Sequence, residues 1–329
     1  MSELSKLTSH ELSEMKAAEG KIEHMKVNSD NFKIAAVVVT YNRLELLKIC
    51  IDSLRRQTRK LDEIIIVNNS STDGTLEWLS KQKDLTVITQ ENSGSAGGQY
   101  TGIKTAYEKG YDWIWCMDDD GNAECNCLEN LISCIRIDRD LAVIGSLVRE
   151  NTNATQLTFG ITIKLKDGTY VEIENTEHLR CLVQEGVLLN DYAAFFLGVL
   201  INRKVVEIVG LPNKDFFAWG EETEYFLRIL KSKLKIATCF NAFFFHPQNN
   251  WKTKKWILNR KVYIGELNRK SEYYFRNRAI IASKYNRFYD LRFFVSQISY
   301  YSMKLNFKGV VFFVKSYFQG LKLNFLKNV

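Results

Sequence analysis

The chain has 329 residues, 46% of them hydrophobic and 25% charged, with a net charge of +7. That is the profile of a soluble protein long enough for one large domain or two smaller ones. Seven cysteines, an odd number with no CxxC pair, argue against a disulfide scaffold and for reduced core thiols in a cytosolic protein; nothing at the N-terminus reads as a signal peptide, and no apolar run reaches the ~18 residues of a membrane span.

In chain order, residues 1–30 are polar and charged, with Leu12, Met15, Ile22 and Met25 at helical spacing. An arm, an appendage and a small oligomerisation helix all fit. From Lys33 the pattern changes to short apolar runs alternating with amphipathic ones. Strands are predicted at Ile34–Val39, Glu63–Val67, Leu85–Thr89 and Trp113–Met117, and helices at Arg43–Gln57, Asp73–Lys83 and Ala96–Lys109. This alternation predicts an α/β fold with a doubly wound, mainly parallel sheet. Further on, Thr158–Lys164 and Tyr170–Glu174 read as an antiparallel hairpin around Asp167-Gly168. Tyr192–Ile201 reads as a strand, Glu221–Lys233 as a helix, and Lys235–Phe240 as a strand, with a second apolar strand at Ala242–Phe245.

The last stretch is different. From Lys252 to the C-terminus there are 17 Lys and Arg against 3 Asp and Glu, whereas residues 1–251 carry 28 against 35. Tyr273, Tyr274, Phe275, Phe288, Tyr289, Phe293, Phe294, Phe312, Phe313 and Phe318 are interleaved with this charge. Basic aromatic helices of this kind suit an anionic membrane surface. The bland alternative is a helical subdomain whose aromatics form its own core. Charge alone would also fit nucleic acid, but no nucleic-acid partner is expected. The chain thus divides into a polar arm (1–30), an α/β domain (31–250) and a basic helical region (251–329).

Ligands on doubly wound sheets bind at the carboxyl ends of the strands. The suspicious loops all lie there: Thr40-Tyr41-Asn42-Arg43, Asn68–Asp73, Asn92–Gly98 and Asp118-Asp119-Asp120. Three carboxylates ending a buried strand repel one another unless a cation shares them, and hard oxygen donors at 118 and 120 suit Mg²⁺ or Mn²⁺ with a phosphorylated substrate. A solvated turn is the plain alternative. A calcium loop is disfavoured, because Ala123 occupies the position that needs Gly and the preceding element reads as a strand. Gly94, Gly97 and Gly98 would let backbone approach a ribose or diphosphate. Thr72 or Asp73 suits a helix cap, and Arg228 can pair with Glu224 at i, i+4.

Together these loops, with Val37–Arg43, Ile64–Gly74, Asn92–Gly98, Asp118–Asp120, Phe216–Arg228 and His246, resemble the inverting family 2 glycosyltransferases of GT-A fold. The resemblance is strongest to bacterial galactofuranosyl- and rhamnosyltransferases of surface polysaccharide synthesis. It covers roughly residues 33–250, and the run Tyr273–Arg278 is also familiar there. It implies that Thr40, Tyr41, Asn42, Arg43, Asn68, Asn69, Gly94, Ser95, Gly97, Gly98, Asp118 and Asp119 hold a nucleoside diphosphate sugar. It implies that Asp118, Asp120 and His246 hold Mn²⁺ or Mg²⁺, with Asp120 the main ligand. Asn68 and Asn69 stand where the family commonly has an Asp that reads the base. Glu222 falls at the general-base position, where the family often has Asp, with Glu221 orienting the acceptor and Trp219 stacking on its sugar.

The donor this implies is UDP-galactofuranose, with dTDP-rhamnose as the alternative. The acceptor would be a lipid-linked glycan, reached by a cytoplasmic enzyme lying peripherally on the inner face of the cytoplasmic membrane. A homo-oligomer is left open. A nucleotidyltransferase is disfavoured, because only Arg43 is available in the first loop to grip a triphosphate. A non-catalytic glycan- or membrane-binding module is disfavoured by the intact set Asp118, Asp120, Glu222 and His246.

Overall fold

Seven consecutive buried residues, Ile34–Thr40, make a strand that tolerates no solvent on either face, and it lies inside the sheet between two parallel neighbours (β1). The computed structural model describes residues 32–164, 170–183, 187–248, 252–257, 260–285 and 287–326. The polar arm and the hairpin turn at 167–168 lie outside them. β1 pairs in parallel with β2 (Glu63–Asn68) and β4 (Trp113–Asp118), and β2 pairs in parallel with β3 (Thr86–Thr89). Helices α1 (Leu44–Arg55), α2 (Thr75–Leu79) and α3 (Gly94–Glu108) make the crossovers. Leu47, Cys50, Ile51 and Leu54 form the buried stripe of α1. Asp73 caps two helices at once, accepting from Leu44 N (3.0 Å) and Thr75 N (3.2 Å). Helix α2 is shorter than the predicted Asp73–Lys83: Gly74, at φ 87°, starts it late, and it ends at Leu79.

Beyond β4 come β5 (Asn122–Ala123), α4 (Cys127–Ile137), β6 (Leu141–Glu150), β7 (Gln156–Lys164), β8 (Tyr170–Asn175), α5 (Thr176–Val183), β9 (Leu188–Asn190) and β10 (Leu197–Asn202). They are followed by α6 (Arg203–Val209), α7 (Glu221–Lys231) and β11 (Lys235–His246). The main path runs β3-β2-β1-β4-β10-β6-β11-β5. β10 is antiparallel to β4 and β6, while β11 runs parallel to β6, so the sheet is mixed. The predicted strand from Tyr192 begins only at Leu197, because Phe196, at φ 61°, breaks the extended run just before it. The two predicted strands after Lys235 are one, kinked by a register shift between Cys239 and Phe243 that carries it on to His246.

After the small β12–β13 ribbon (Thr253–Lys255, Lys261–Tyr263), the chain ends in α8 (Arg269–Tyr285), α9 (Arg287–Met303) and α10 (Phe307–Leu326). Phe275, Phe293, Phe313 and Tyr317 form a core of their own here, with Phe275 and Phe313 edge to face at 4.8 Å. Tyr274, Phe294 and Phe312 pack on it half-buried, and Phe318 is exposed. The side chains of Phe288 and Tyr289 lie outside the described set. No helix among the described residues is long and apolar enough to cross a membrane.

Candidate active site

Strand β4 is clamped between β1 and β10, and the acidic triplet leaves its carboxyl end with Asp118 N donating to Phe196 O (3.1 Å). Asp118 accepts from Gln99 Nε2 (3.2 Å). Burial first, then Asp120 and Asp119, push its carboxyl up to about 7. Asp119, 3% exposed, accepts from Thr40 Oγ1 (2.7 Å) and Arg43 Nη1 (3.2 Å). Burial raises it to about 6, against the pull of Thr40 and Arg43. Asp120 meets Arg43 Nη1 at 2.6 Å and His246 Nε2 at 3.3 Å. Burial would raise its carboxyl too, but His246 and Arg43 outweigh it and hold Asp120 below the usual range. Arg43 thus supplies the countercharge that lets three adjacent carboxylates share one strand end.

Among the described residues, no three His, Cys, Asp or Glu side chains form a ready-made metal cage. The pieces nonetheless suit a hard divalent ion. Asp120 Oδ1 is buried with no aligned hydrogen bond, and it faces an imidazole nitrogen at 3.3 Å. Carboxylate oxygen and imidazole are the donors Mn²⁺ accepts. Asp118, turned toward Gln99, lies beside them.

The first three loops are tied to one another. Asn42, at φ 53°, accepts from Thr72 N (2.7 Å), and its own N–H donates to Ser71. Tyr41 is 46% exposed. Asn68 accepts from Ser71 N and keeps a buried Nδ2 without a hydrogen-bond partner. Asn69 is committed: Nδ2 donates to Gly94 O (3.0 Å) and Oδ1 accepts from Gln90 (2.8 Å). At the glycines, the missing Cβ makes room for protein. A Cβ on Gly94 (φ 71°) would stand 1.9 Å from Phe217 O, one on Gly97 would stand 2.1 Å from Ser93 Oγ, and one on Gly98 would stand 2.3 Å from Val39 of β1.

The glutamates arrive on the loop 216–220, where Phe217, Trp219 and Gly220 have φ of 64°, 67° and 100°. Glu221 opens α7 at 4% exposure and accepts from Ser95 Oγ. Burial, then the Glu222 charge, raise its carboxyl well above the usual range, and the Asp118 charge adds to the rise. Glu222 is half-buried, and its Oε2 accepts from Gly220 N (2.8 Å). Trp219 is half-buried beside it. Arg228 pairs with Glu224 (3.1 Å) and donates to the carbonyls of Val209 and Leu211, a structural knot.

Ser95 and Gln99 stand four residues apart on α3, hence on one helix face. The first holds Glu221 and the second holds Asp118. One turn of helix, about 6 Å of rise, therefore joins the two acidic groups into a single site. Gln99 carries no signal in the sequence, since a polar residue inside an amphipathic helix reads as surface. Arg276 and Asn277 of α8 lie in the run that the resemblance marks, but the sequence assigns them no role. Asn277 donates to the carbonyls of Phe216, Ala218 and Trp219, and Arg276 to those of Asp215 and Phe216.

Residues 35–198 match the sequence model described as Glycosyl transferase family 2. The galactofuranosyltransferase GlfT1 of Mycolicibacterium smegmatis is 33% identical over 219 residues, spanning 65% of this chain and 70% of that protein. The chain belongs to glycosyltransferase family 2. This family 2 enzyme is also 26% identical over 202 residues to the dTDP-rhamnosyl transferase RfbF of Shigella flexneri, spanning 61% of this chain and 64% of that protein. In fold it is similar to GalNAc-T7, crystallised with UDP, GalNAc and Mn²⁺: TM-score 0.55 and 14% identity over 77% of this chain and 48% of that one. The GT-A fold and the transferase class expected from the loops therefore hold.

Proposed function

We propose that this family 2 glycosyltransferase is an inverting galactofuranosyltransferase that takes galactofuranose from UDP-galactofuranose. The single face of α3 that presents Glu221 through Ser95 and Asp118 through Gln99 supports the transfer chemistry, and the 33% identity to GlfT1 supports galactofuranose as the sugar. The donor would lie over Thr40, Tyr41, Asn42, Arg43, Asn68 and the start of α3, with Asn69 and the three glycines shaping those loops from behind. Asp118, Asp120 and His246 would hold Mn²⁺ or Mg²⁺. When bound, such an ion supplies Lewis-acid neutralisation of the charge that grows on the departing nucleoside diphosphate. Glu222, half-exposed at the start of α7, takes the proton from the acceptor hydroxyl during in-line attack. The buried Glu221 orients that acceptor, and Trp219 offers a face for its sugar ring.

The acceptor in this reading is a growing lipid-linked glycan, and the enzyme works peripherally at the cytoplasmic membrane. The turn between α9 and α10 supports this placement: Met303, Leu305, Phe307 and Val311 are 67–77% exposed there. Lys304 and Lys308 alternate with them, and no Asp or Glu occurs between residues 291 and 326. Apolar side chains set among lysines suit an anionic bilayer.

The experiment is a panel of UDP- and dTDP-sugars incubated with the purified protein and Mn²⁺, with release of nucleoside diphosphate as the readout. Hydrolysis of UDP-galactofuranose above all others is expected. Preference for dTDP-rhamnose would move the enzyme to the rhamnosyl branch represented by RfbF, and no hydrolysis of any donor would leave the binding-module alternative.

A further inference from the structure

Left-handed φ angles at two bulky aromatics, Phe217 and Trp219, followed by Gly220 at φ 100°, make the loop before the glutamates a costly conformation. Such a φ is strained for an aromatic residue and persists only where its surroundings over-determine it. The surroundings here come from about 60 residues downstream. Asn277 of α8 is fully buried, and the two N–H groups of its Nδ2 are shared among Phe216 O (3.0 Å), Ala218 O (2.8 Å) and Trp219 O (2.6 Å). Arg276 Nε donates to Asn277 Oδ1 (2.8 Å), which fixes the way the amide faces. Tyr273, one turn earlier, stacks on Phe217 at 4.9 Å.

Two further contacts seat this arrangement. On the donor side, Phe217 O accepts from Ala96 N (3.1 Å), in the space that Gly94 leaves by lacking a Cβ. On the far side, α10 approaches so closely that a Cβ on Gly320 would stand 2.0 Å from Arg276 O. The loop is therefore gripped between the start of α3 and the face of α8 that carries Tyr273 and Asn277.

We propose that Asn277 is a positioning residue for glycosyl transfer: its carboxamide holds the left-handed loop that delivers Glu221 and Glu222, making α8 a working part of the cleft. The kinetic consequence rests on the reading of Glu222 as the base, while the grip on the loop does not. Without those donors the Ala218 and Trp219 carbonyls lose the bonds that Asn277 gives them, Phe216 O keeps only Arg276 and Ala218 N, and the loop relaxes toward ordinary φ. A carboxylate displaced by about 1 Å costs on the order of 10²-fold in rate.

The test compares Asn277→Leu, near in volume but without N–H donors, with Asn277→Ala and Asn277→Gln. Asn277→Leu and Asn277→Ala are expected to lose about 10²-fold in kcat with donor KM within threefold. Amide exchange at 217–222 is expected to rise at least tenfold while exchange in α9 and α10 stays as in the parent, and Asn277→Gln, which keeps both N–H groups, is expected to recover part of each. Parental turnover and exchange in Asn277→Leu and Asn277→Ala would overturn the proposal. So would exchange that rises throughout α8, α9 and α10 together with a collapsed melting temperature in both, because that marks packing alone. If Glu222→Gln turns over normally the base assignment falls, yet the exchange at 217–222 still decides whether Asn277 holds the loop.

Discussion

Asp118, Asp119 and Asp120 leave a buried strand held on both sides by β1 and β10, whereas Glu221 and Glu222 follow a loop with three residues at positive φ. The first group is placed by sheet register and balanced by charge, with Arg43 and His246 close by. The second is placed by hydrogen bonds from distant elements: Ser95 on α3 and Asn277 on α8. The aspartate end is thus stiff and electrostatic, and changes there should act through donor and metal affinity. The glutamate end is held by a few polar contacts, and changes there should act on turnover with the donor still bound.

Asp120→Asn would strike the aspartate end hardest. It removes one of the two carboxylates paired with Arg43 and the group facing His246, and about 10³-fold is expected in kcat/KM, of the size seen when one charge-stabilising group is deleted. Calorimetry with UDP and Mn²⁺ should show metal-dependent binding lost as well. Retained metal-dependent binding would break the comparison, by assigning the ion to other residues.

Ser95→Ala probes the glutamate end more gently. The lost hydroxyl bond to Glu221 is worth about 1–2 kcal/mol, so kcat should fall about tenfold with UDP affinity unchanged. A fall in affinity equal to the fall in kcat would show that Ser95 serves the donor and not the glutamate.

Glu63→Gln, at the amino end of β2 and so at the opposite end of the strand from the site, serves as the control. Burial raises the Glu63 carboxyl, but hydrogen bonds from Lys109, Thr86 and Tyr111 outweigh it and leave it below its ordinary value of 4.5. Its contribution to stability is therefore present above pH 4.5 and is lost as pH falls through the lower, folded-state value. Thermal melts of the parent should drop more steeply than those of Glu63→Gln in that acid window, by under about 1 kcal/mol, with turnover at neutral pH the same in both.

The same contrast explains what the sequence reveals. β1, β2, β4 and their loops are legible because each is a local apolar run with its polar residues placed just after it. The triplet is legible because three contiguous acids after such a run have few uses. His246 is reached only through the resemblance, and the kinked β11 that carries it is read as two strands, since a register shift leaves no composition signal. Left-handed φ at Phe196 and Phe217 is equally hidden, because aromatic residues rarely adopt it and nothing local asks for it. Asn69 reads as a ligand-facing amide, yet the fold spends it between Gly94 and Gln90. In the basic tail, Phe275, Phe293 and Phe313 turn inward while Phe307 and Phe318 stay outside. That division depends on how three helices meet, which no single helix encodes.

The most direct measurement is made on Glu222→Gln, by following UDP binding and UDP-galactofuranose turnover in the same preparation with Mn²⁺ present. Binding is expected within about twofold of the parent, with turnover lower by about 10²–10⁴-fold, the range for loss of a general base. Undiminished turnover would contradict this expectation, and so would loss of nucleotide binding together with activity.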